Sequence, residues 1–357
     1  MLKLKGKVIQ LLSNDIVPVS QFEHFKNSQH LNDYLRLQCY LNQSKVGQKA
    51  LTQTLNPIQE EQNSEDLKQE INRLPEKNTL VNYRHFSAYY AQYEQIPYTL
   101  KEITRLREIT FREQNEGSGL ECDKDDFDKT YTHLFVFDHQ AEKIVGAYRM
   151  GRTDILLKQD ELSSLYLSQT FEFKKDAFNL QAPSLELGRS FISPAYQNSF
   201  YALLLLWKGI CAFAYSHPQY RTLYGTVSLS QKYQALSITL INKTLNQHTP
   251  SVQAHHNYKN LNSAEIEGYF KKYKLPLPLL SALVKGIEED NKDIPILLKH
   301  YHKMGAEFHA LGVDKQFNNT PGFLLSVDLA KAPEKLLNLY FGVEEKVSYQ
   351  QYQSPTL

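Results

Sequence analysis

Apolar residues follow distinct periodicities in the first half of the chain. In YTLKEITRLREITF (98–111), leucine and isoleucine recur every three or four residues with charged residues between them. This spacing predicts an amphipathic helix. The segments THLFVFD (132–138) and AEKIVGAYRMGRT (141–153) are rich in β-formers and are joined by a short polar turn, which predicts a hairpin.

The second half of the chain continues this alternation of strand and helix patterns, although residues 245–290 are poorly patterned. The order indicates an α/β (α+β) fold with a mixed central sheet and helices on both faces. The predicted elements are a strand in SLELGRSFI (184–192), a buried helix at 201–217, a strand at 222–230, a helix in IPILLKHYHKMGAEF (294–308) and strands in HALGVD (309–314) and FLLSVDL (323–329).

Composition predicts how these elements are divided into domains. Residues 43–77 are rich in Gln, Glu, Asn and Lys and have few large apolar side chains, so we interpret them as a polar linker. They separate a short N-terminal piece, residues 1–42, from a main body at 78–343 that is followed by a tail at 344–357. A piece as short as 1–42 rarely folds alone, and we expect it to be dispensable for the activity of the body.

Charge and cysteine content limit the possible functions. Lysine and arginine total 40 and aspartate and glutamate total 39, so no overall positive field favours nucleic acid. Three cysteines without metal-like spacing suit a reducing, cytoplasmic location, and we expect no metal. The longest apolar run is far shorter than the roughly 20 residues of a membrane span.

One strand carries an unusual pair of charges. Glu186 and Arg189 lie three residues apart among large apolar residues, and a regular strand would direct them to opposite faces. Gly188 between them indicates a β-bulge. A bulge would turn both charges toward one cleft and leave backbone N–H groups free for a ligand.

The ordered motifs LREITFRE, DDFD, IVGAYRMGRTDIL and LELGRSFISPAY resemble those of the GNAT acyltransferase superfamily. They are most similar to bacterial ornithine-lipid N-acyltransferases of the hemolysin-like type, and more distantly to acyl-homoserine-lactone synthases. The resemblance extends from Ala91 to Gly342. Residues 1–42 resemble the end of a lysophospholipid acyltransferase domain whose catalytic half is absent from this sequence.

This resemblance implies transfer of a fatty acyl group from a thioester to the amine of an amino acid. Glu186 is the candidate base, although a carboxylate paired with Arg189 or Arg149 would look the same in the sequence. The resemblance places Tyr233 where GNAT enzymes hold a general acid, but a packed tyrosine is an alternative. Backbone N–H groups from Gly188 through Arg189 and Ser190 to Phe191 are the candidate oxyanion donors.

The turn before the buried helix reads YQNSFYA and lacks the glycines that usually surround the pyrophosphate of coenzyme A. This departure favours the acyl-phosphopantetheine of acyl carrier protein over acyl-CoA as donor. Gln197, Asn198 and Ser199 would bind its phosphate, or they form an ordinary helix start. The resemblance implies a substrate pocket formed by Arg107, Phe111, Asp125, Asp128 and Arg149, although the two aspartates also suit a solvated acidic turn.

The resemblance also implies partners. The acceptor would be ornithine, lysine or glycine, a separate O-acyltransferase would complete the aminolipid, and the inner membrane surface is a site of peripheral association. Two other functions fit less of the sequence: an acyl-homoserine-lactone-type signal synthase, and a non-catalytic, membrane-active hemolysin-like protein.

Overall fold

The computed structural model describes residues 16–43, 54–158, 162–174, 177 and 182–353, without the side chains of residues 42 and 43. The helices are α1 (Ser28–Gln43), α2 (Ser64–Arg73), α3 (Pro97–Arg112), α4 (Thr153–Leu156), α5 (Phe200–Ser216), α6 (Ala235–Leu245), α7 (Ala264–Phe270), α8 (Leu277–Ile287), α9 (Ile296–Lys303), α10 (Glu334–Tyr340) and α11 (Val343–Gln353). The strands are β1 (Thr79–Tyr83), β2 (Phe86–Ala91), β3 (Thr132–Asp138), β4 (Lys143–Arg152), β5 (Phe171–Phe173), β6 (Ser184–Ile192), β7 (Thr222–Ser228), β8 (Val252–Ala254), β9 (Glu307–Asp314) and β10 (Thr320–Asp328).

The chain forms two compact units. The first contains residues 1–49, 233–246 and 259–296, and the second contains residues 50–232, 247–258 and 297–357. Helices α1, α6, α7 and α8 belong to the first unit, and all the strands named above belong to the second. None of the helices in the described ranges is both long enough and apolar enough to cross a membrane.

The second unit is built on an eight-stranded sheet in the order β1-β2-β3-β4-β6-β7-β10-β9. Every neighbouring pair is antiparallel except β6 and β7, which are parallel and are connected through α5. Strands β5 and β8 form a separate two-stranded sheet. The mixed sheet confirms the fold class predicted from the sequence.

Helices α3 and α5 cover opposite faces of this sheet. Ala147 and Phe191 belong to the same core cluster as Ile103 of α3, and we call this side the α3 face. On the other side, a methyl group added at Gly209 of α5 would lie 3.2 Å from the Leu134 side chain. Helix α5 can therefore approach the sheet closely, and nine of its 17 residues are buried, whereas Phe200 and Tyr215 are exposed.

The parallel pair β6 and β7 separates partway along its length. Pairing runs from Ser184–Thr222 to Leu187–Gly225 and ends there, although both strands continue. Residues 188–192 of β6 therefore have no partner in β7. Beyond this point the central strands, which elsewhere are almost completely buried, contain partly accessible residues.

The elements predicted from strong apolar patterns are present. The predicted helix at 98–111 is α3, the hairpin is β3 and β4, and the strand, helix and strand at 184–230 are β6, α5 and β7. The predicted C-terminal elements correspond to α9, β9 and β10. The sequence analysis missed α6 and α8. It also missed β1, β2 and α7, which have too few residues to establish a period.

The interpretation of residues 43–77 as a linker is wrong for its last part. Residues 64–73 form α2, and Leu67 and Ile71 belong to the core cluster that contains Ile103. Glu70 is also buried, and its two carboxylate oxygens accept hydrogen bonds at 2.8 and 2.7 Å from backbone N–H groups at the start of α3. Two apolar side chains of α2, Leu67 and Ile71, and one carboxylate that caps α3 are therefore enough to dock α2 in the core.

The two ends of the chain also differ from expectation. In the first unit, α1 buries Tyr34, Leu37 and Leu41, and His30 is hydrogen-bonded to the Tyr269 hydroxyl at 3.0 Å. Helix α1 therefore packs within that unit and is not an isolated segment, while the dispensability of residues 1–42 for activity stays a prediction. At the other end, residues 344–353 of the predicted tail belong to α11, where Tyr349 is buried. Residues 1–15 lie outside the described residues.

We predict that Glu70→Ala destabilises the second unit by roughly 1.5–3 kcal/mol, because two buried N–H donors lose a charged acceptor. The measurement is urea unfolding followed by circular dichroism. Gln69→Ala is the matched control, since Gln69 is exposed one position away on the same helix, and we expect little change. Equal stability of the two variants would restore the linker interpretation.

Candidate functional site

The register of β4 and β6 contains the predicted bulge. Between the regular pairs Ala147–Phe191 and Arg149–Gly188, β6 has two residues where β4 has one. Arg189 is one of the two and adopts a left-handed conformation with φ of 49°. The bulge was correctly predicted, but the left-handed residue is Arg189 rather than Gly188. A non-glycine residue in this conformation costs about 1–2 kcal/mol, a strain often found at functional sites.

The bulge directs both charges of β6 to the α3 face. Glu186 pairs with Gly151, which shares the face of Ala147 by alternation along β4. Arg189 reaches the same side, because its Nε lies 2.9 Å from Asp123 Oδ2, which is also 3.1 Å from Nε of Arg107 on α3. The extra residue therefore cancels the alternation that would have separated the two charges.

Three arginines and three aspartates form one ion-pair network on the α3 face, and Arg107, Arg149, Asp123 and Asp128 are buried in it. Arg107 binds both carboxylate oxygens of Asp128, and Arg149 binds Asp125 and Asp128. The shortest N–O distances are 2.9 Å for Arg107–Asp128, 3.1 Å for Arg107–Asp123, 2.5 Å for Arg149–Asp125, 3.2 Å for Arg149–Asp128, 2.9 Å for Arg189–Asp123 and 3.6 Å for Arg189–Asp125.

Aromatic rings enclose this network. The Arg189 guanidinium lies 4.4 Å from the ring centre of Tyr166 and 4.8 Å from that of Phe317, and Arg149 lies 5.2 Å from that of Tyr131. Phe317 in turn packs edge-on against Phe111 at 4.9 Å. Such cation–π contacts stabilise the cations while excluding water.

The network explains the protonation of its members. Although burial opposes ionisation of Asp128, the guanidinium groups of Arg107 and Arg149 hold its pKa well below the usual range. Burial lowers the pKa of the adjacent His133 to about 4. Neutral His133 donates from Nε2 to the Asp128 backbone carbonyl at 2.8 Å. Removing one partner from such a buried pair typically costs about 3–5 kcal/mol, because the remaining charge is uncompensated.

The aspartates of this network are therefore already bound to cations. Asp128 is completely buried, and both of its carboxylate oxygens are engaged by arginine. Asp128 is therefore not exposed to solvent, which contradicts the interpretation of DDFD as a solvated acidic turn at this residue. It also removes the argument that Asp125 and Asp128 select a cationic substrate side chain, because the cations that they bind come from the same chain.

Glu186 lies beside the network and has a different environment. Its side chain is buried, Oε1 accepts a hydrogen bond from the Leu167 N–H at 3.1 Å, and Oε2 has no geometrically satisfactory donor among the described residues. Burial raises the pKa of Glu186 to about 7, although Tyr131, Arg149 and the Leu167 amide act in the opposite direction. A carboxyl group with this pKa can exchange a proton near neutral pH.

A second buried carboxyl group follows α3. The Glu116 side chain accepts a hydrogen bond at Oε2 from the Ser228 hydroxyl at 2.9 Å, and its backbone N–H donates to the Phe111 carbonyl at 2.9 Å. Burial raises the pKa of Glu116 to about 7, opposed only by the hydrogen bond from Ser228. The sequence analysis missed Glu116, since a single glutamate in a polar segment gives no signal.

Open space lies beside the bulge on the α3 face. Within the described part of the chain, no atom other than those of its chain neighbours lies within 4 Å of a Cβ built on Gly188, an unusual situation at the centre of a sheet. Gly188, Arg189 and Ser190 on β6, and Thr226 and Ser228 on β7, are partly accessible where the strands separate. We call the gap between these separating strand segments the strand cleft. Phe191 beyond the bulge is buried.

The predicted phosphate-binding residues lie at the start of α5, in the segment that follows β6. Gln197 and Asn198 are exposed, and the Gln197 side chain donates to Glu113 at 3.3 Å. Ser199 is the N-cap, and its hydroxyl accepts from the Tyr201 N–H. Because the Tyr201 N–H already donates to Ser199, it is not free to bind a phosphate. The alternative of an ordinary helix start therefore accounts for Ser199.

Phe111 and Tyr233, two further predicted site residues, have different surroundings. Phe111 contacts Phe317, whose ring also packs on Arg189, as described above. Tyr233 belongs to the first unit, where its hydroxyl donates to the Asp293 carbonyl and the Lys292 ammonium lies 5.3 Å from its ring centre. Its assignment as general acid stays a prediction.

The sequence analysis also missed Asp123, Tyr131, Tyr166 and Phe317, which only tertiary contacts bring to the site.

A family model described as "Acetyltransferase (GNAT) domain" matches residues 106–208. Two curated relatives named glycine N(alpha)-acyltransferase, from Bacteroides thetaiotaomicron and Phocaeicola vulgatus, are 32% and 31% identical over 181 and 179 residues. Each alignment covers 47% of this chain, and 53% and 55% of the respective relatives. The chain thus spans about half the length of the curated relatives that it matches.

Two solved structures are also similar to this chain. An N-acyl amino acid synthase from uncultured soil microbes has a TM-score of 0.38 and 11% identity, covering 69% of this chain and 92% of its own. The loading GNATL domain of CurA from Lyngbya majuscula has a TM-score of 0.36 and 16% identity, covering 70% of this chain and 98% of its own.

Residues 106–208 are thus similar to a GNAT acetyltransferase domain. They include the C-terminal part of α3, the first half of α5 and all of β3, β4 and β6, so the matched region contains Glu186, the bulge and all six members of the ion-pair network.

We predict that Gly188→Ala leaves the protein as stable as the wild type or stabilises it by up to about 1 kcal/mol. The position has open space and does not require a left-handed backbone, and alanine restricts the unfolded chain. Gly225→Ala is the matched comparison, because its methyl group would overlap the Leu187 carbonyl oxygen at the last β6–β7 pair. We expect a loss of roughly 1–3 kcal/mol there. Thermal unfolding of both variants checks this, and a destabilised Gly188→Ala would show that the space is filled.

Proposed function

We propose that this chain is an N-acyltransferase that moves a fatty acyl group from a thioester to the amine of an amino acid. The observation that carries the proposal is the strand cleft, which opens beside the bulge on the face that holds the buried carboxyl group of Glu186. The relatives named glycine N(alpha)-acyltransferase support the same reaction class.

The reaction requires a proton acceptor and an oxyanion site. An amino acid amine is mostly protonated at neutral pH, so a base must take one proton before the nitrogen attacks the thioester carbonyl. As the C–N bond forms the C–S bond breaks, and the leaving thiolate takes up the second proton that the nitrogen loses, which gives the amide and a free thiol. Glu186 is the proposed base, acting through water because its side chain is buried. Backbone N–H groups from Gly188 to Phe191, along the part of β6 that has left β7, are the proposed donors to the thioester oxygen.

Arg189 has a positioning role in this proposal. Its side chain is held by Asp123, Asp125, Tyr166 and Phe317, and its left-handed backbone creates the bulge. Arg107 and Arg149 fix the acidic segment after α3 against the sheet through the same aspartates. Phe111 and Phe317 provide an apolar wall, which suits an acyl chain.

The acceptor is proposed to be a small amino acid. Glycine comes first, since it is the acceptor in the names of the relatives. Ornithine and lysine come second, because Asp125 and Asp128 are occupied by arginines. A lyso-aminolipid product, completed by a separate O-acyltransferase at the inner membrane surface, extends this proposal.

Acyl carrier protein is the proposed donor. The segment between Tyr196 and Ala202 has no glycine, and Ser199 already caps one amide of the helix start. A site with few free amides suits the single phosphate of a carrier protein's phosphopantetheine better than the pyrophosphate of coenzyme A.

The proposal is tested with the purified chain, hexadecanoyl donors on acyl carrier protein and on coenzyme A, and glycine, ornithine or lysine as acceptor. Mass spectrometry should detect the N-acyl amino acid, with a higher kcat/KM for the carrier protein. Similar constants for the two donors would refute the donor preference alone. Absence of an amide with every pair would refute the acyltransferase, and a lactone product would indicate a signal synthase instead.

We predict that Glu186→Gln lowers kcat by roughly 10²–10⁴-fold, because glutamine keeps the shape but cannot accept the proton. The wild-type rate should rise as the pH increases through about 7, where Glu186 ionises, and the variant should lose this rise. Rates at saturating substrate between pH 5.5 and 8.5 provide the measurement.

Stability distinguishes this role from a structural one. The pKa of Glu186 is raised in the folded state, so the stabilisation by its protonated form is present below the unfolded pKa of about 4.5 and is lost as the pH rises through about 7. Glu186→Gln should therefore be at least as stable as the wild type at pH 8. Glu307→Gln, at an exposed position of β9, is the control. A less stable variant with unchanged kcat would show that Glu186 is structural.

A further inference from the structure

Glu116 is a buried carboxyl group for which the described residues provide no cationic partner. Asp123, Asp125 and Asp128 are each paired with arginine. Among the described residues, the Glu116 carboxylate accepts one hydrogen bond, from the neutral Ser228 hydroxyl. Its side chain is 5% exposed. A buried carboxylate must be neutralised or paired, so this position favours a proton or a cation from outside the chain.

The hydrogen bond to Ser228 locates this carboxyl group at the strand cleft. Pairing of β7 with β6 ends at Gly225, and Ser228 lies three residues further, roughly 10 Å along the strand. β7 stays regular to Ser228 through its pairing with β10. Leu187 pairs with Gly225, and three residues further along each strand are Ser190 and Ser228. In the parallel register, Ser228 is therefore level with Ser190, which lies in the bulge of β6. Glu116 is therefore held across the cleft from the proposed oxyanion donors.

Glu116 also approaches the same face of the sheet as Glu186. Glu186 pairs with Tyr224 in the parallel ladder, so their side chains share a face, and alternation adds Thr226 and Ser228. The segment that carries Glu116 follows α3, which covers this face. Its backbone is fixed by the Phe111 carbonyl and by the Asn318 side chain, which donates to the Asn115 carbonyl at 2.9 Å.

We propose that Glu116 binds the ammonium group of the amino acid acceptor at the strand cleft. The inference rests on the proposed function and names the residue that recognises the acceptor. The ammonium supplies the cation that this carboxylate lacks, and the position level with the bulge brings the nitrogen next to the thioester carbonyl. Ser228 orients the carboxylate from one side.

The test is steady-state kinetics of Glu116→Gln in the full chain, with glycine as the varied acceptor and then the acyl thioester as the varied donor. We expect KM for glycine to rise roughly 10- to 100-fold, since a charge-assisted hydrogen bond is lost. KM for the donor should not change. Ser228→Ala should raise KM for glycine by less, because the carboxylate stays but loses its orientation.

The matched control is Glu121→Gln, at an exposed position of the same acidic segment, and it should leave both constants unchanged. An unchanged KM for glycine in Glu116→Gln would overturn the inference while the acyltransferase proposal stands. Equal increases in both KM values would overturn it in favour of a structural role. If Glu116→Gln does not fold, the KM values of Ser228→Ala for glycine and for the acyl thioester test the inference in the same way. Wild-type protein that acylates no amino acid would refute the proposed function itself.

Discussion

The site depends on the requirement that six charges on the α3 face, four of them buried, compensate one another. Arg107 comes from a helix, Arg149 and Arg189 from two neighbouring strands, and the three aspartates from the segment between α3 and β3. A buried guanidinium without a carboxylate is costly, so each arginine fixes the position of the acidic segment. This segment has few apolar residues, and its place in the fold is set by charge rather than by hydrophobic packing.

The same network accounts for the conformation of β6. The contacts of Arg189 with Asp123, Tyr166 and Phe317 require its side chain on the α3 face, where regular alternation would not place it. One extra residue and a left-handed backbone meet that requirement. The consequence is a strand that keeps its pairing with β4 but leaves β7 after Leu187. The cleft, the open space at Gly188 and the free edge of β6 occur together for this reason.

The acidic residues of the site fall into two groups with opposite behaviour. Asp128 is held ionised by two arginines, and its pKa is lowered although the side chain is completely buried. Burial dominates for Glu186 and Glu116, and the pKa of each rises to about 7. The first group supports the structure, and the second group is suited to binding or releasing a proton. The difference is the number of cations within reach, not the degree of burial.

The sequence alone determined the main secondary structure and the importance of one strand. Helical spacing at 98–111 and continuous apolar runs identified α3, β3, β6 and α5, because each has enough residues to express its period. The pair Glu186 and Arg189 around Gly188 indicated the bulge. The family motifs directed attention to Arg107, Phe111, Asp125, Asp128 and Arg149, four of which the structure joins in a single network.

Only the tertiary structure decided what those residues contact. Whether Asp128 meets solvent, a substrate or an arginine depends on residues 21 positions away in either direction, which no local pattern encodes. The docking of α2 depends on two apolar side chains and the carboxylate of Glu70, too few to distinguish the segment from a linker. Glu116 became recognisable only through its burial against Ser228, 112 residues later in the chain, since a carboxyl group acquires a raised pKa from its surroundings rather than from its sequence neighbours.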